Sequence, residues 1–371
     1  MAEELRLGSR GSQLALWQAH TVAARIAEAG GPPCRIVVIK TSGDRLQEAP
    51  LSDLGGKRLF VKEIEDALLR HDIDLAVHSS KDMPARLPDG LVIAGVLPRE
   101  DPRDAIVLPV RLKPDTTADG QAAQDVASGF SRTTTGVATG VASGFSRTTT
   151  GVAADVASGF SRTLSSIEDL VCVLGQAPAI GTGSVRRIAQ LSRLFPGARF
   201  TPIRGNLDTR LRKLDEGGHH ALVLAAAGLR RLGFAHRISF ALPAAASVPA
   251  PGQGIVAIEI REHDEPVRRA VARINDPAAA AALSAERALV ETLGGGCQTP
   301  VGALASPLDG DRLELVAVVV ALDGSRAVRG HAVGPRDQAA ALGARVGAQL
   351  LSDGAGDILA EARTQQAQGH D

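Results

Sequence analysis

The stretch "KRLFVKEIEDALLR" (57–70), followed at once by "DIDLAVHS" (72–79), decides the fold class of this 371-residue chain. The first part places apolar residues at helical spacing, and the second is a short apolar run typical of a buried strand. The alternation extends outward, with strand-like "RIVVIK" (35–40) before it and "GLVIAGVL" (90–97) after it. Strands alternating with helices indicate α/β units on a largely parallel sheet.

The same alternation resumes near residue 178 and predicts a second α/β domain. Its predicted elements are a strand in "PAIGTGS" (178–184), a helix over 185–195, a strand near 199–204, a helix over 206–216 and a strand in "ALVLAAAG" (221–228).

The pattern changes towards the C-terminus. We predict a helix over 276–293, with Asp276 as its N-cap and Pro277 in its first turn. A hairpin turned at Asp323-Gly324 and a helix around 336–352 follow. We therefore expect a small α+β third domain at 276–371, after a first domain of 1–99 plus 254–275 and a second of 100–253.

Residues 110–163 do not follow this scheme. "VASGFSRTTTGVA" begins at Val126 and again at Val141, and "VASGFSRT" begins at Val156, which gives a fifteen-residue period. A repeat can indicate a solenoid, but each copy offers only one Phe and two Val to a core. The composition favours a disordered or loosely attached insertion in the second domain.

Composition excludes several classes of function. Lys plus Arg equals Asp plus Glu at 41 each, and aromatic residues make up 2% with no Tyr, so neither nucleic acid nor an anionic membrane is an expected partner. Three scattered cysteines form no disulfide framework, and without a CxxC pair or an HExxH helix we expect no metal. With no leader-like or membrane-spanning stretch, these features predict a cytoplasmic protein.

Basic residues gather where predicted strands end and helices begin. They are Arg10 with Ser12 in "SRGSQLALWQAH", Thr182, Ser184, Arg186 and Arg187 in "GTGSVRR", and Arg204 and Arg210 in "IRGNLDTRL". Helix N-termini and guanidinium groups both bind anions, so together these residues predict a site for an anion with several charges. Each arginine taken singly is better explained as a solvated surface charge.

Two other motifs have both a functional and a structural interpretation. "HSSKDMP" (78–84) puts Lys81 and Asp82 at the end of a strand, where α/β proteins place their chemistry; Asp82 as a helix cap is the alternative. "PGQG" (251–254) suits a hinge between domains.

Cys297 lies behind three glycines in "ETLGGGCQTPVG" (291–302). A thiol in such a setting is a candidate nucleophile or attachment point. The alternative is a small buried apolar side chain, as most lone cysteines are.

These motifs, in this order, resemble the porphobilinogen deaminase (hydroxymethylbilane synthase) family over the whole chain except about 110–170. The segments that carry the resemblance are "SRGSQLALWQA", "TSGD", "LGGKRLFVKEIEDALL", "DLAVHSSKDMP", "REDPRDA", "GTGSVRR", "RGNLDTRLRKL", "AAAGLRRLG", "PGQG" and "GGGCQTPVG".

The resemblance implies two periplasmic-binding-protein-like α/β domains with a cleft between them, and a third domain that carries the cysteine. It implies that Cys297 holds a dipyrromethane cofactor through a thioether, on which four porphobilinogen units are joined head to tail with loss of ammonia. Water then releases linear hydroxymethylbilane. The resemblance also implies a monomer.

The resemblance further assigns site residues by position. Asp82 is the catalytic carboxylate, and the cofactor is bound by Cys297, Lys81, Asp82, Ser184, Arg186, Arg187 and Arg210. Substrate and growing chain are bound by Arg10, Ser12, Thr182, Arg204, Arg231 and Gln253, with Ser184 contributing.

Two departures from the family pattern are visible. Gly183 stands where the family has a serine, in "GTGS" for "GTSS", and we expect weaker binding at most. The repeat insertion is extra, and we expect activity to survive it. The alternatives are a non-catalytic anion-binding protein of the periplasmic-binding type, which would not need Cys297 or Asp82, and an inactive relic.

Overall fold

A computed structural model describes residues 4–41, 61–110, 164–294 and 299–368. Three β-sheets organise these residues. The strands are β1 (Leu5–Ser9), β2 (Cys34–Val38), β3 (Leu75–Ser79), β4 (Leu91–Val96), β5 (Asp104–Val107), β6 (Ala179–Gly181), β7 (Arg199–Thr201), β8 (Ala221–Ala225), β9 (Phe240–Ala241), β10 (Val256–Arg261), β11 (Val301–Leu308), β12 (Arg312–Val320) and β13 (Ala327–Pro335). The α-helices are α1 (Gln13–Glu28), α2 (Lys62–Leu69), α3 (Ile167–Leu174), α4 (Val185–Leu194), α5 (Leu207–Asp215), α6 (Ala226–Arg231), α7 (Glu265–Ala272), α8 (Pro277–Thr292), α9 (Ala339–Leu350) and α10 (Gly356–Gln368).

The first sheet has the strand order β2-β1-β3-β10-β4. Its apolar side chains pack against helices on both faces. Val22 of α1 and Val271 of α7 join one cluster with Leu7 and Ile258, while Leu68 of α2 belongs to a second cluster on the opposite side. A sheet covered on both faces explains why its strands are near-continuous apolar runs in the sequence.

The second sheet has the order β7-β6-β8-β5-β9. Leu211 of α5 and Leu229 of α6 pack on one side, and Leu170 of α3 and Leu191 of α4 pack on the other. Each five-stranded sheet thus has its own core, as expected for two α/β units.

The expectation of largely parallel sheets holds for only half of the strand pairs. β1 pairs with β2 and β3 in parallel, and β6 pairs with β7 and β8 in parallel, but β10 and β5 run antiparallel to both of their neighbours. The reason is the double crossover between sheets. The chain leaves β4 and β9 at the carboxyl ends of the parallel strands and enters β5 and β10 from that same side, so each entering strand runs in the opposite direction.

The C-terminal unit is a three-stranded antiparallel sheet, β11-β12-β13, covered on one face by α8, α9 and α10. Its other face places Val318 and Val320 against Ala189 of α4. Helix α8 packs its Leu283 and Ala279 on the first sheet. The smaller unit therefore contacts both larger ones, and the expected class, two α/β units plus a smaller α+β unit, is confirmed.

The local predictions for this unit are also confirmed. Asp276 caps α8 by accepting a hydrogen bond from the Ala279 amide at 2.7 Å, and Pro277 is the first helical residue. The hairpin turns at Asp323-Gly324, where Gly324 has φ 78° and Asp323 accepts from the Ser325 amide. Strand β11 was not predicted, because its Gly, Ala and Pro residues interrupt the alternation of apolar and polar side chains that is typical of a strand.

The part of the helix prediction before residue 61 and the repeat from 111 to 163 lie outside the described residues. The domain limits remain a prediction. In the described ranges, no helix is long and apolar enough to cross a membrane.

Candidate active site

The two crossovers between the larger sheets meet beside the end of β3. The Glu100 amide, on the way from β4 to β5, donates to the carbonyl of Gly254, on the way from β9 to β10, at 3.1 Å. The Ser80 amide, just after β3, donates to the Ile255 carbonyl at 3.0 Å. The crossovers and the loop after β3 therefore form one connected backbone region.

Lys81 and Asp82 lie in a 3-10 turn, Ser80–Asp82, at the carboxyl end of β3. Asp82 ends this turn and extended backbone follows, so the alternative of a helix cap is wrong. Gly252 of "PGQG" lies against the turn with φ 74°, and a Cβ there would come within 2.5 Å of Ser80 Oγ and 3.1 Å of the Lys81 nitrogen. The glycine is therefore required for close backbone approach; a hinge at this stretch stays a prediction.

Arg186 and Arg187 lie in the first turn of α4 and share one carboxylate, that of Asp104 in β5. Arg186 donates to both oxygens of Asp104, at 2.7 and 3.0 Å, and Arg187 Nε donates at 2.9 Å. Both arginines are almost fully buried, with 5% and 8% of their surface exposed, and Asp104 is inaccessible. Despite its burial, the two guanidinium groups hold the pKa of Asp104 far below its usual range.

This group of three has one positive charge more than it has negative. Arg186 Nε is buried without a hydrogen-bond partner among the described residues. A buried donor without a partner is costly unless a ligand accepts from it. The surplus charge and the unused donor suit a carboxylate, and dipyrromethane carries carboxylates, so these residues fit that cofactor.

Arg210, on α5, joins the same region. Burial lowers the pKa of its guanidinium, nearby Arg187 lowers it further, and the carboxylate of Asp82 opposes the shift. Its Nε donates to the Gly205 carbonyl at 2.8 Å. Asp82 from the first sheet and Arg210 from the second therefore act electrostatically on each other across the space between the two units.

Arg231, at the end of α6, also links the two units. Its guanidinium lies 5.5 Å from the ring centroid of Trp17 on α1, and its Nη2 donates to the Gly254 carbonyl at 2.6 Å. Burial lowers the pKa of Arg231, and the charge of Glu100 opposes that shift. Arg231 therefore lies at the junction of the two units and the crossovers.

Arg10 and Ser12 follow β1, which runs parallel to β3, so they lie at the same sheet edge as Lys81. Ser12 is the N-cap of α1, and its Oγ accepts from the Ala15 amide at 3.3 Å. Arg204 lies between β7 and α5.

Thr182 and Ser184 lie between β6 and α4, where Thr182 Oγ1 accepts from the Ser184 amide at 3.3 Å. A Cβ on Gly183 would have Pro202 Cβ as its nearest contact, at 3.7 Å, so the family's serine would fit there without a clash. Gln253 is buried and donates to Asp104 at 3.0 Å and to the Pro102 carbonyl at 2.6 Å, which ties it to the crossovers.

Cys297 lies outside the described residues, which stop at Gly294 and resume at Thr299. The last described residue before it is well held: Arg363 of α10 donates to the Gly294 carbonyl at 2.9 Å. In the described ranges, no group of three or more His, Cys, Asp or Glu side chains could hold a metal ion.

Among the buried carboxylates that sequence reasoning missed, two bind residues of this region. Asp104 pairs with the arginines, and Glu286 of α8 accepts from Arg99 at 2.6 Å, the Gly252 amide at 2.5 Å and the Ala305 amide at 2.7 Å. The available signal was an acidic residue at the start of the otherwise apolar strand "DAIV", and another inside the apolar helix "LSAERALVE". A charge in such a setting requires a partner.

Sequence models of two domains match the chain. "Porphobilinogen deaminase, dipyromethane cofactor binding domain" matches residues 5–137 and 156–269. "Porphobilinogen deaminase, C-terminal domain" matches residues 280–352.

Curated relatives agree. The chain is 38% identical to porphobilinogen deaminase of Geotalea uraniireducens, over 96% of this chain and 94% of the relative. It is 39% identical to the porphobilinogen deaminase of Geobacter metallireducens, over 97% of this chain and 95% of the relative. It is 40% identical to the porphobilinogen deaminase of Syntrophobacter fumaroxidans, over 96% of this chain and 97% of the relative.

Solved structures that are similar include immunogenic lipoprotein A from Vibrio vulnificus, with a TM-score of 0.37 and 12% identity. The match covers 76% of this chain and 99% of that structure. A TRAP periplasmic solute binding protein from Desulfovibrio salexigens has a TM-score of 0.38 and 9% identity. The match covers 74% of this chain and 73% of that structure. The sequence models and the curated relatives decide the family: this chain belongs to the porphobilinogen deaminases.

Proposed function

We propose that this chain carries out the reaction of its family: four porphobilinogen molecules are joined head to tail, ammonia is released at each addition, and water releases linear hydroxymethylbilane. The observation that carries the proposal is the charge arrangement between the two α/β units. Two buried arginines, Arg186 and Arg187, share one inaccessible carboxylate, Asp104. Arg210 interacts electrostatically with Arg187 and with Asp82 of the first unit. A site with surplus positive charge and a single acid facing it suits a chain of carboxylate-bearing pyrroles.

The dipyrromethane cofactor, held by Cys297, supplies the pyrrole carbon to which the first porphobilinogen is attached. Lys81, Ser184, Arg186, Arg187 and Arg210 would bind its carboxylates. The unpartnered Nε of Arg186 supports this assignment, because a carboxylate would satisfy it. Arg10, Ser12, Thr182, Arg204, Arg231 and Gln253 would bind the incoming substrate or the growing chain, with Ser184 contributing.

Asp82 is the catalytic residue of this proposal. Loss of ammonia from porphobilinogen leaves an electron-poor azafulvene with a positively charged pyrrole nitrogen. A carboxylate fixed near that nitrogen stabilises the charge and can accept and return a proton. The electrostatic interaction between Asp82 and Arg210 supports a position for Asp82 beside the residues proposed to bind the cofactor.

The remaining expectations belong to the same proposal. The enzyme would work as a cytoplasmic monomer, with domains at 1–99 plus 254–275, 100–253 and 276–371. The substrate's carboxylates would be bound between the first two domains, and the third would carry the anchored cofactor.

The test is the intact mass of the purified protein beside a Cys297→Ala variant. We expect the wild type to exceed its sequence mass by two linked pyrrole units and the variant to lack that excess. If the mass is unmodified, the protein is incubated with porphobilinogen or preformed hydroxymethylbilane and measured again. A thiol that stays bare would overturn the proposal and favour a non-catalytic anion-binding protein.

A further inference from the structure

The loop that carries Asp82 is packed against α8, the helix that leads through Gly294 towards Cys297. Met83, the residue after Asp82, is 6% exposed and lies in one apolar cluster with Ala279 and Leu283 of α8. The first contact between the proposed catalytic residue's loop and the cofactor-bearing domain is therefore a buried apolar one.

The second contact is polar and comes from Arg287, one turn further along α8. Its Nη1 donates to the Pro84 carbonyl at 2.9 Å and its Nη2 to the Ala85 carbonyl at 2.7 Å. One guanidinium thus holds two consecutive carbonyl groups, which begin two residues after Asp82. The planar geometry of Arg suits such a paired contact, whereas a Lys ammonium is a point charge without a fixed fork.

Two carboxylates act electrostatically on Arg287. Burial lowers the pKa of its guanidinium, and the charges of Glu259 in β10 and Glu291 in α8 oppose that shift. Glu259 is itself inaccessible and hydrogen-bonded to His78 of β3 at 3.0 Å. The guanidinium of Arg287 therefore interacts electrostatically with both the first sheet and α8.

We propose that Arg287 is a positioning residue for Asp82: by holding the loop at Pro84 and Ala85 on α8, it fixes the Asp82 carboxylate relative to the helix that leads to the cofactor's anchor. This inference rests on the proposed function, in which Asp82 acts on the substrate. A displacement of about 1 Å at a reacting group can cost about 100-fold in rate. Losing the two hydrogen bonds that hold this loop should therefore lower the rate.

The test compares the holoenzyme with Arg287→Ala and Arg287→Lys variants. For Arg287→Ala we expect kcat per folded molecule to fall about 10- to 100-fold with KM changed much less. Arg287→Lys should recover part of the loss, because an ammonium can donate to one carbonyl at a time. Amide hydrogen exchange in a peptide covering residues 80–90 should accelerate in the alanine variant.

Arg86→Ala is the matched control. Arg86 belongs to the same loop and pairs with Glu291 of the same helix at 2.8 Å, but its side chain is 82% exposed. We expect its kcat and its exchange to match the wild type. A control variant as slow as Arg287→Ala would overturn the proposal, since the loss of an exposed contact between the loop and α8 would then lower kcat as much as the loss of Arg287.

Two further results would also overturn it: an Arg287→Ala kcat within twofold of wild type, or a lower kcat with unchanged exchange in residues 80–90. If the alanine variant does not fold, the lysine variant decides by the same two measurements. Failure of the proposed function itself is distinct, because the wild type would then lack both turnover and the cofactor's added mass.

Discussion

At the scale of single residues, Asp104 determines whether two arginines can be buried at all. It accepts hydrogen bonds from Arg186 and Arg187 of α4, and from Ser247 and Gln253 in the segment between β9 and β10. The carboxylate is therefore a structural requirement for the cationic cluster that the substrate would meet.

Replacing Asp104 with Ala should be strongly destabilising. Removing one partner of a buried ion pair typically costs about 3–5 kcal/mol, because the remaining charges are left uncompensated. Urea unfolding at pH 7 measures the change. Asp72→Ala is the control: Asp72 pairs with Arg70 at 3.0 Å, but both side chains are more than half exposed, so it should cost about 0–1 kcal/mol. Equal effects of the two substitutions would contradict the expectation.

Asp74 makes stability depend on pH on the acid side. Burial opposes its ionisation, but hydrogen bonds and charge from Arg6 and the charge of Arg261 outweigh burial and lower its pKa in the folded state. A folded-state pKa below the unfolded value, about 3.9, gives stability that is complete above that value and is lost as pH falls through the folded-state pKa. An Asp74→Asn variant should thus be less stable than wild type at pH 7, and the difference should shrink below about pH 4. Urea midpoints at pH 7 and pH 3 test this; a difference independent of pH would show that the charge of Asp74 contributes nothing.

At the scale of elements, the segment between β9 and β10 packs closely against the loop after β3 and the crossover after β4. Gly252 donates its amide to Glu286 at 2.5 Å and lies against Ser80 and Lys81, and a Cβ on Gly254 would come within 2.3 Å of the Glu100 carbonyl oxygen. The "PGQG" stretch is therefore packed on both sides by backbone.

A Gly252→Ala substitution should lower activity as well as stability. The new Cβ would displace Ser80 and Lys81, and φ 74° is strained for any residue with a side chain. We expect a loss of about 1–3 kcal/mol in stability and a fall in kcat for the protein that still folds. Gly310→Ala is the control, since it has φ 70° with no atom near its Cβ. It should share the backbone strain but keep wild-type kcat, and a lowered kcat in this variant would show that strain alone explains the effect.

At the scale of the whole molecule, part of the repeat lies outside the family pattern. The sequence model of the cofactor-binding domain matches residues 5–137 and 156–269 and leaves out 138–155. The described residues on either side are anchored independently: the Val110 amide donates to Asp215 at 2.9 Å, and Leu164 packs in the cluster around Leu170.

Deleting residues 141–155 removes one fifteen-residue copy inside the unmatched stretch. We expect the thermal midpoint and kcat/KM to stay at the wild-type values, because a connection shorter by fifteen residues changes loop-closure entropy only slightly. Thermal denaturation and steady-state assays make the comparison. A large loss of either property would assign this copy a role in folding or catalysis.

The sequence by itself determined the local features of this protein. Apolar periodicity fixed the type and order of most helices and strands, Asp276 and Pro277 fixed the start of α8, and Asp323-Gly324 fixed the hairpin, because each depends on neighbours a few residues away. The ordered motifs, through their resemblance to one family, also indicated the reaction and the candidate residues.

Only the tertiary structure decided the direction of β5 and β10 and the partners of the buried charges. Asp104 meets Arg186 across 82 positions in the chain, and Glu286 meets Arg99 across 187. Arg287 likewise holds a loop 203 positions away. Nothing local encodes such pairings, since an arginine and a carboxylate attract equally well wherever they meet, and the packing of sheets and helices alone selects which pairs are brought together and removed from water.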